Sequence, residues 1–121
     1  IIVMKINLSD KFKKFDDQWS PKVIAEMNNY QFKLVKIKGD FTWHQHDLTD
    51  ETFYVIEGKL GIDFENETIE LKAGEMIVVP KGVKHKPFAH EETKIMLIEP
   101  KGVINTGEKK NSFTADNDQW I

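Results

Sequence analysis

Apolar and polar residues alternate along much of the chain, and the apolar runs are short and stop at glycine, proline or acidic clusters. Tyr30, Phe32 and Leu34 alternate with Gln31 and Lys33, the period of a strand. From Val35 to Ile37 the apolar positions change parity, which predicts a bulge or a strand covered on both faces. Gly39-Asp40 marks a turn. A strand over 52–57 ends at Gly58, and one over 59–64 ends at the turn Glu65-Asn66-Glu67. Further strands over 68–71, 76–79 and 94–98 stop at Ala73-Gly74, at Pro80-Lys81-Gly82 and at Pro100. Many short strands between such breakers predict an all-β antiparallel sandwich or barrel.

The two ends of the chain differ from this middle. Residues 7–17 read as a short helix, with Ser9 as N-cap, Asp10 in the first turn, and Phe12 and Phe15 on one face. Beyond Pro100 the segment 101–117 is polar, aperiodic and carries Gly102 and Gly107, as a tail lying over the body would. A last helical turn from Thr114 would anchor Trp120 and Ile121. The expected organisation is an N-terminal segment (1–20), one barrel (21–100) and a packed tail (101–121).

The chain has 121 residues, enough for one domain, and its 40% hydrophobic and 31% charged content is globular. No apolar run reaches the roughly 20 residues of a membrane span, and no leader pattern is visible, so a cytoplasmic protein without a membrane partner is expected. The opening Ile1-Ile2-Val3-Met4, with Met4 a candidate start, carries no functional weight. Cysteine is absent, which excludes disulfides, thiolate nucleophiles and thiolate metal sites. All 17 basic residues are lysine, and the net charge is −3. Without arginine, the usual clamp for phosphate and guanine, nucleic acid is not an expected partner.

Candidate chemistry gathers on three histidines and a glutamate. His44 and His46 are one residue apart, so on a strand both rings share a face. Glu51 opens the next strand, and an antiparallel return would bring its carboxylate beside them. His85 follows the Pro80-Lys81-Gly82 turn. Three imidazoles and a carboxylate suit a first-row divalent metal. If strand parity points them inward, a protein without the ion must bury an unpaired carboxylate at a cost of several kcal/mol or more. His90, next to Glu91 and Glu92, reads instead as a solvated residue of a charged loop.

Two stretches resemble the paired motifs of the cupin superfamily. The first, G-x5-H-x-H-x(3,4)-E-x6-G, is matched by Gly39, His44, His46, Glu51 and Gly58, with one residue fewer after the first glycine. The second, G-x5-P-x-G-x2-H-x3-N, is matched by Gly74, Pro80, Gly82 and His85, with Ala89 in place of the asparagine. The resemblance implies a small antiparallel β-barrel or jelly roll, with the short helix and the irregular tail appended. It also implies one divalent transition metal (Fe, Mn, Zn or Ni) in the barrel mouth, held by His44, His46, Glu51 and His85.

Such a site keeps one net positive charge and, if octahedral, two open positions, which favours small polar or anionic ligands. The expected function is a metal-dependent enzyme on a sugar, keto acid or phenolic, with isomerase-like or dioxygenase-like chemistry. The alternatives are a non-catalytic ligand-binding or sensing module, and a structural dimer stabilised by its cation. The look is shared with mannose-6-phosphate isomerase-like proteins, though fold likeness says little about function, and the missing arginine counts against a phosphosugar. Phe53 and Val55 share parity with Glu51 and should line the cavity, with Tyr54 and Ile56 facing away. Tyr30 is a proton-transfer candidate if its face is inward, Trp43 should pack outside, and Glu57 should be solvated; no general base stands out. Lys81, Lys84 and Lys86 could steer anions, although a solvated charged strand is the better account of them. Exposed barrel edges predict a homodimer.

Overall fold

The computed structural model describes residues 3–121; Ile1 and Ile2 of the leading stretch lie outside the described residues. One short helix, α1 (Leu8–Phe12), precedes seven strands: β1 (Lys22–Met27), β2 (Tyr30–Asp40), β3 (Glu51–Glu57), β4 (Lys59–Asp63), β5 (Thr68–Lys72), β6 (Met76–Val79) and β7 (Lys86–Pro100). Among the described residues these strands pair with one another antiparallel throughout. The sheet order is β1-β2-β7-β3-β6, with β4 attached to the start of β7 and β5 to β4. The fold is thus a small all-β barrel of jelly-roll type.

β7 makes this closure possible. Its first residues pair with β4, while Thr93 to Pro100 pair with β2 and residues from Lys94 to Ile98 with β3. The ladder slips between Ile37 and Gly39 on β2 and between Val55 and Glu57 on β3, the irregularities that let a sheet bend into a barrel. His90 lies inside this strand, exposed, rather than in a loop. The strand expected over 94–98 therefore starts eight residues earlier, at Lys86. Charged residues at the bend hid it, because a solvated stretch of strand lacks alternation.

Two apolar clusters flank the sheet. Inside the barrel lie Val35, Ile37, Phe53, Val55, Leu60, Ile62 and Ile95. Outside, Phe12 and Phe15 cover Ile24 and Leu34, with Phe32, Met96 and Ile121 at the margin. β2 is therefore covered on both faces through Leu34–Ile37 and also slips register beyond Ile37. Its inward side chains are Gln31, Lys33, Val35 and Ile37, while Phe32 and Leu34 face the outer cluster. Tyr30 is 47% exposed, which removes it as a proton-transfer group.

α1 is shorter than the 7–17 expectation, and its cap is Asn7 rather than Ser9. The Asn7 side chain accepts from the Asp10 amide at 2.9 Å, and Lys13 closes the helix. Phe15 still reaches the outer cluster, from the loop beyond it. Nor does a helical turn form from Thr114; the segment is held by turns, and Trp120 makes a parallel bridge to Val23. Tail residue Asn105 ties the tail to the body of the fold, and Thr106 bonds Thr114 within the tail. Asn105 donates to the carbonyls of Trp19 and Phe113 and accepts from Ala115. Gly107 (φ +72°) packs so tightly that a Cβ there would overlap the Gln45 carbonyl oxygen. Among the described residues no helix is long and apolar enough to cross a membrane.

Candidate metal centre

His44 does not sit on a continuous strand with His46; it forms an isolated antiparallel bridge with His85. The two residues exchange backbone hydrogen bonds of 3.0 and 2.9 Å, which fixes two side chains distant in sequence directly opposite each other. The Pro80-Lys81-Gly82 turn supports this placement. The Gly82 amide donates to the His46 carbonyl at 2.8 Å, so the loop of the first two histidines is tied to the turn that precedes the third. Glu51 enters as the first residue of β3, opposite Val79.

All four candidate side chains are buried, and each offers one donor atom within 4.8 Å of the others. Nitrogen and oxygen ligands around a first-row ion stand about 2.0–2.2 Å from it, so opposed donors are separated by roughly 4 Å and the cluster is of suitable size. The ring tautomers agree. Nδ1 of His44 is 2.9 Å from the Thr42 carbonyl oxygen, and Nδ1 of His85 is 2.8 Å from that of Val83. A carbonyl only accepts, so each Nδ1 carries the hydrogen and each neutral ring presents the Nε2 lone pair. Glu51 Oε1 lies 3.3 Å from Nε2 of His85 and 3.6 Å from Nε2 of His46. Nε2 of His46 is buried without a hydrogen-bond partner. An unpartnered imidazole nitrogen beside a carboxylate and two aligned lone pairs is what a cation-binding site requires, and the residues fit a divalent ion.

The electrostatics hold His44 and Glu51 in ligand form. Burial, and then the electrostatic effect of the neighbouring His85 ring, lowers the pKa of His44 to about 4, so its ring is neutral at neutral pH. Burial pushes Glu51 up, but the neighbouring His46 and His85 rings outweigh it and hold the carboxyl well below its usual range. A second acid, Glu99, is pushed well above its usual range by burial and then by the charge of Glu51. Lys33 faces it, with Nζ 2.9 Å from Glu99 Oε1 and both side chains almost fully buried. The sequence reading missed this pair. Its signal was present: Glu99 continues the parity of Ile95 and Leu97, but Lys33 alternated with apolar neighbours and read as the solvated face.

A cavity of about 30 Å³ adjoins His44 and Glu51, walled by Trp19, Val35, Ile37, Phe41, Phe53 and Leu97, with Asn105 of the tail over it. It admits one or two waters. Phe53 lines it as its parity predicts, whereas Val55 is buried deeper in the core. A wider groove of about 530 Å³ opens outside His44, between Trp43 and Lys84 on the rim and Glu108, Lys109 and Lys110 on the tail. Trp43 is 43% exposed there. Of the lysines expected to steer anions, Lys84 lines this groove; Lys86 pairs with Asp40 and Asp63, each at 3.5 Å. Glu57 is exposed at the end of β3.

Comparison with known proteins agrees with this geometry. The sequence profile of the cupin domain family (Cupin_2) matches residues 33–100. A cupin-2 domain-containing protein from Shewanella frigidimarina is 62% identical in its crystal structure, with a TM-score of 0.79 over 79% of this chain and 94% of that one. Protein NMB1881 from Neisseria meningitidis is 33% identical, with a TM-score of 0.74 over 81% of this chain and all of that one (100%). The uncharacterized protein YdbB of Bacillus subtilis is 38% identical over 79 residues, 64% of this chain and 70% of that protein.

Proposed function

Since the chain belongs to the cupin family, we propose that it is a metal-dependent enzyme acting on a small polar or anionic metabolite, with isomerase-like or dioxygenase-like chemistry. The observation that carries the proposal is the convergence of His44, His46, Glu51 and His85, all buried, with His46 Nε2 left without a hydrogen-bond partner. A divalent ion held by these residues would supply a Lewis acid with exchangeable positions. The chain's own residues do the rest. Carbonyls of Thr42 and Val83 orient the rings, and the apolar walls from Val35, Phe41 and Phe53 exclude water and strengthen electrostatic interactions at the site. The groove rimmed by Lys84, Lys109 and Lys110 favours anionic reactants on approach. The same reading has two copies pairing through exposed apolar residues, Met76 and Val78 on the edge strand β6 and Val3, Met4 and Ile6 near the N-terminus.

Metal analysis of the protein purified without added metal tests the centre. The wild type should carry a first-row ion, and His46→Ala should lose it. Retention of full occupancy by His46→Ala would sink the ligand assignment. The loaded protein should then either exchange protons next to carbonyls of keto acids or consume dioxygen with phenolics. Silence in both assays, with tight carboxylate binding, would replace the enzyme by a sensor.

A further inference from the structure

We propose that Glu99, held by Lys33, is a positioning residue for the Glu51 ligand, an inference that rests on the metal reading above. The β3–β7 register pairs Thr52 with Ile98, which sets Glu51 beside Glu99, and the β2–β7 register pairs Glu99 with Gln31. The three side chains form one inward row across the barrel, exposed by 3%, 1% and 0% respectively. Glu51 and Glu99 thus share one cross-strand position, where facing side chains stand about 4.5–5.5 Å apart at Cβ. Glu51 turns Oε1 toward His46 and His85, so Glu99 beside it bears directly on the orientation of the ligand.

Glu99 is itself fixed from behind. Lys33 Nζ grips its Oε1 at 2.9 Å and reaches the Val103 carbonyl at 3.4 Å. The Gln31 amide cannot flip to help, because its Nε2 already donates to Glu26 at 2.8 Å and to Asp118 at 3.0 Å. Gln31 Oε1 and Glu99 Oε2 are consequently both buried without partners. Stability alone does not account for such an arrangement. A buried ion pair can commonly be replaced by apolar side chains of similar volume without loss, and removing only one partner is what destabilises. A cross-strand neighbour that aims a metal ligand gives the pair a purpose that an apolar replacement would not serve.

This difference supplies the test. Zn²⁺ affinity of the full chain is measured by competition with a chromophoric chelator, beside thermal unfolding of the metal-free protein. The double variant Lys33→Met/Glu99→Leu should unfold near the wild-type temperature yet bind Zn²⁺ about 10–100-fold more weakly, the usual effect of losing a group that orients a ligand. Wild-type Zn²⁺ affinity in a folded double variant overturns the proposal and makes the pair merely structural. Should the double variant fail to fold, Glu99→Gln loaded with Co²⁺ decides. Its visible absorption bands should shift relative to wild type, and an unshifted spectrum overturns the proposal. His46→Ala separates the two levels: equal Zn²⁺ binding by wild type and His46→Ala removes the metal centre itself, whereas loss in His46→Ala alone removes only the role of Glu99.

Discussion

His44 shows how much a single side chain can contribute here. In the folded, metal-free chain burial and His85 keep it unprotonated down to about 4, against an ordinary value of 6.5. Between those values the unfolded chain binds more protons, so this residue's contribution is fully present above 6.5 and is lost as pH falls toward 4, by about 3 kcal/mol at most. Glu99, held above its usual range, works in the opposite sense, so the whole-protein profile mixes the two. Comparison with His44→Phe isolates the histidine. Urea unfolding of the metal-free proteins from pH 7 to pH 4 should show the wild type losing ground relative to the variant as acid is added; parallel profiles would refute the burial argument. The four side chains that converge were legible in the sequence as candidates, because histidine and glutamate at motif spacing leave few other readings. Gln31, Lys33 and Glu99 were not, because alternation reports that a strand has two faces and not which face a helix or tail will cover. Here Phe12 and Phe15 cover the Phe32–Leu34 side and leave the polar residues inside.

Among the elements, turns and short strands were read well because glycine and proline act locally. β3 through β6 lie within a residue or so of the expected spans. The failures came where an element is defined by distant partners: the first half of β7, built by β4, and the C-terminal tail, pinned by Asn105 and Trp120. Gly107 is where the tail meets the barrel rim. Its left-handed backbone would cost a residue with a Cβ roughly 1–2 kcal/mol, and the Gln45 carbonyl leaves that Cβ no room. Gly107→Ala should therefore lower the unfolding temperature and speed proteolysis after Lys109 and Lys110, which neighbour the displaced contact. Unchanged stability and cleavage would mean that the tail accommodates the methyl group by moving freely.

For the molecule as a whole, the barrel class was legible in the spacing of its breakers, and the closure at β7 was not. The edge strand β6 carries Met76 and Val78, 56% and 50% exposed, and the extended N-terminal stretch carries Val3 and Met4, 94% and 74% exposed. Long apolar exposure of this kind at a sheet edge is usually covered by another chain. Light scattering at micromolar concentration should give the mass of two chains, and Val78→Lys should shift it toward one. A monomeric wild type would contradict the homodimer.

The backbone bridge between His44 and His85 has a consequence for the life of the protein. Paired main-chain groups, not an ion, set these two donors opposite each other. On the proposed metal reading, the polypeptide matures empty and is charged afterwards, with little rearrangement at loading. Which element it carries in a given host then reflects that cell's supply as much as the chain's own preference, and exchange by dialysis becomes a practical way to compare candidate ions on one identical scaffold.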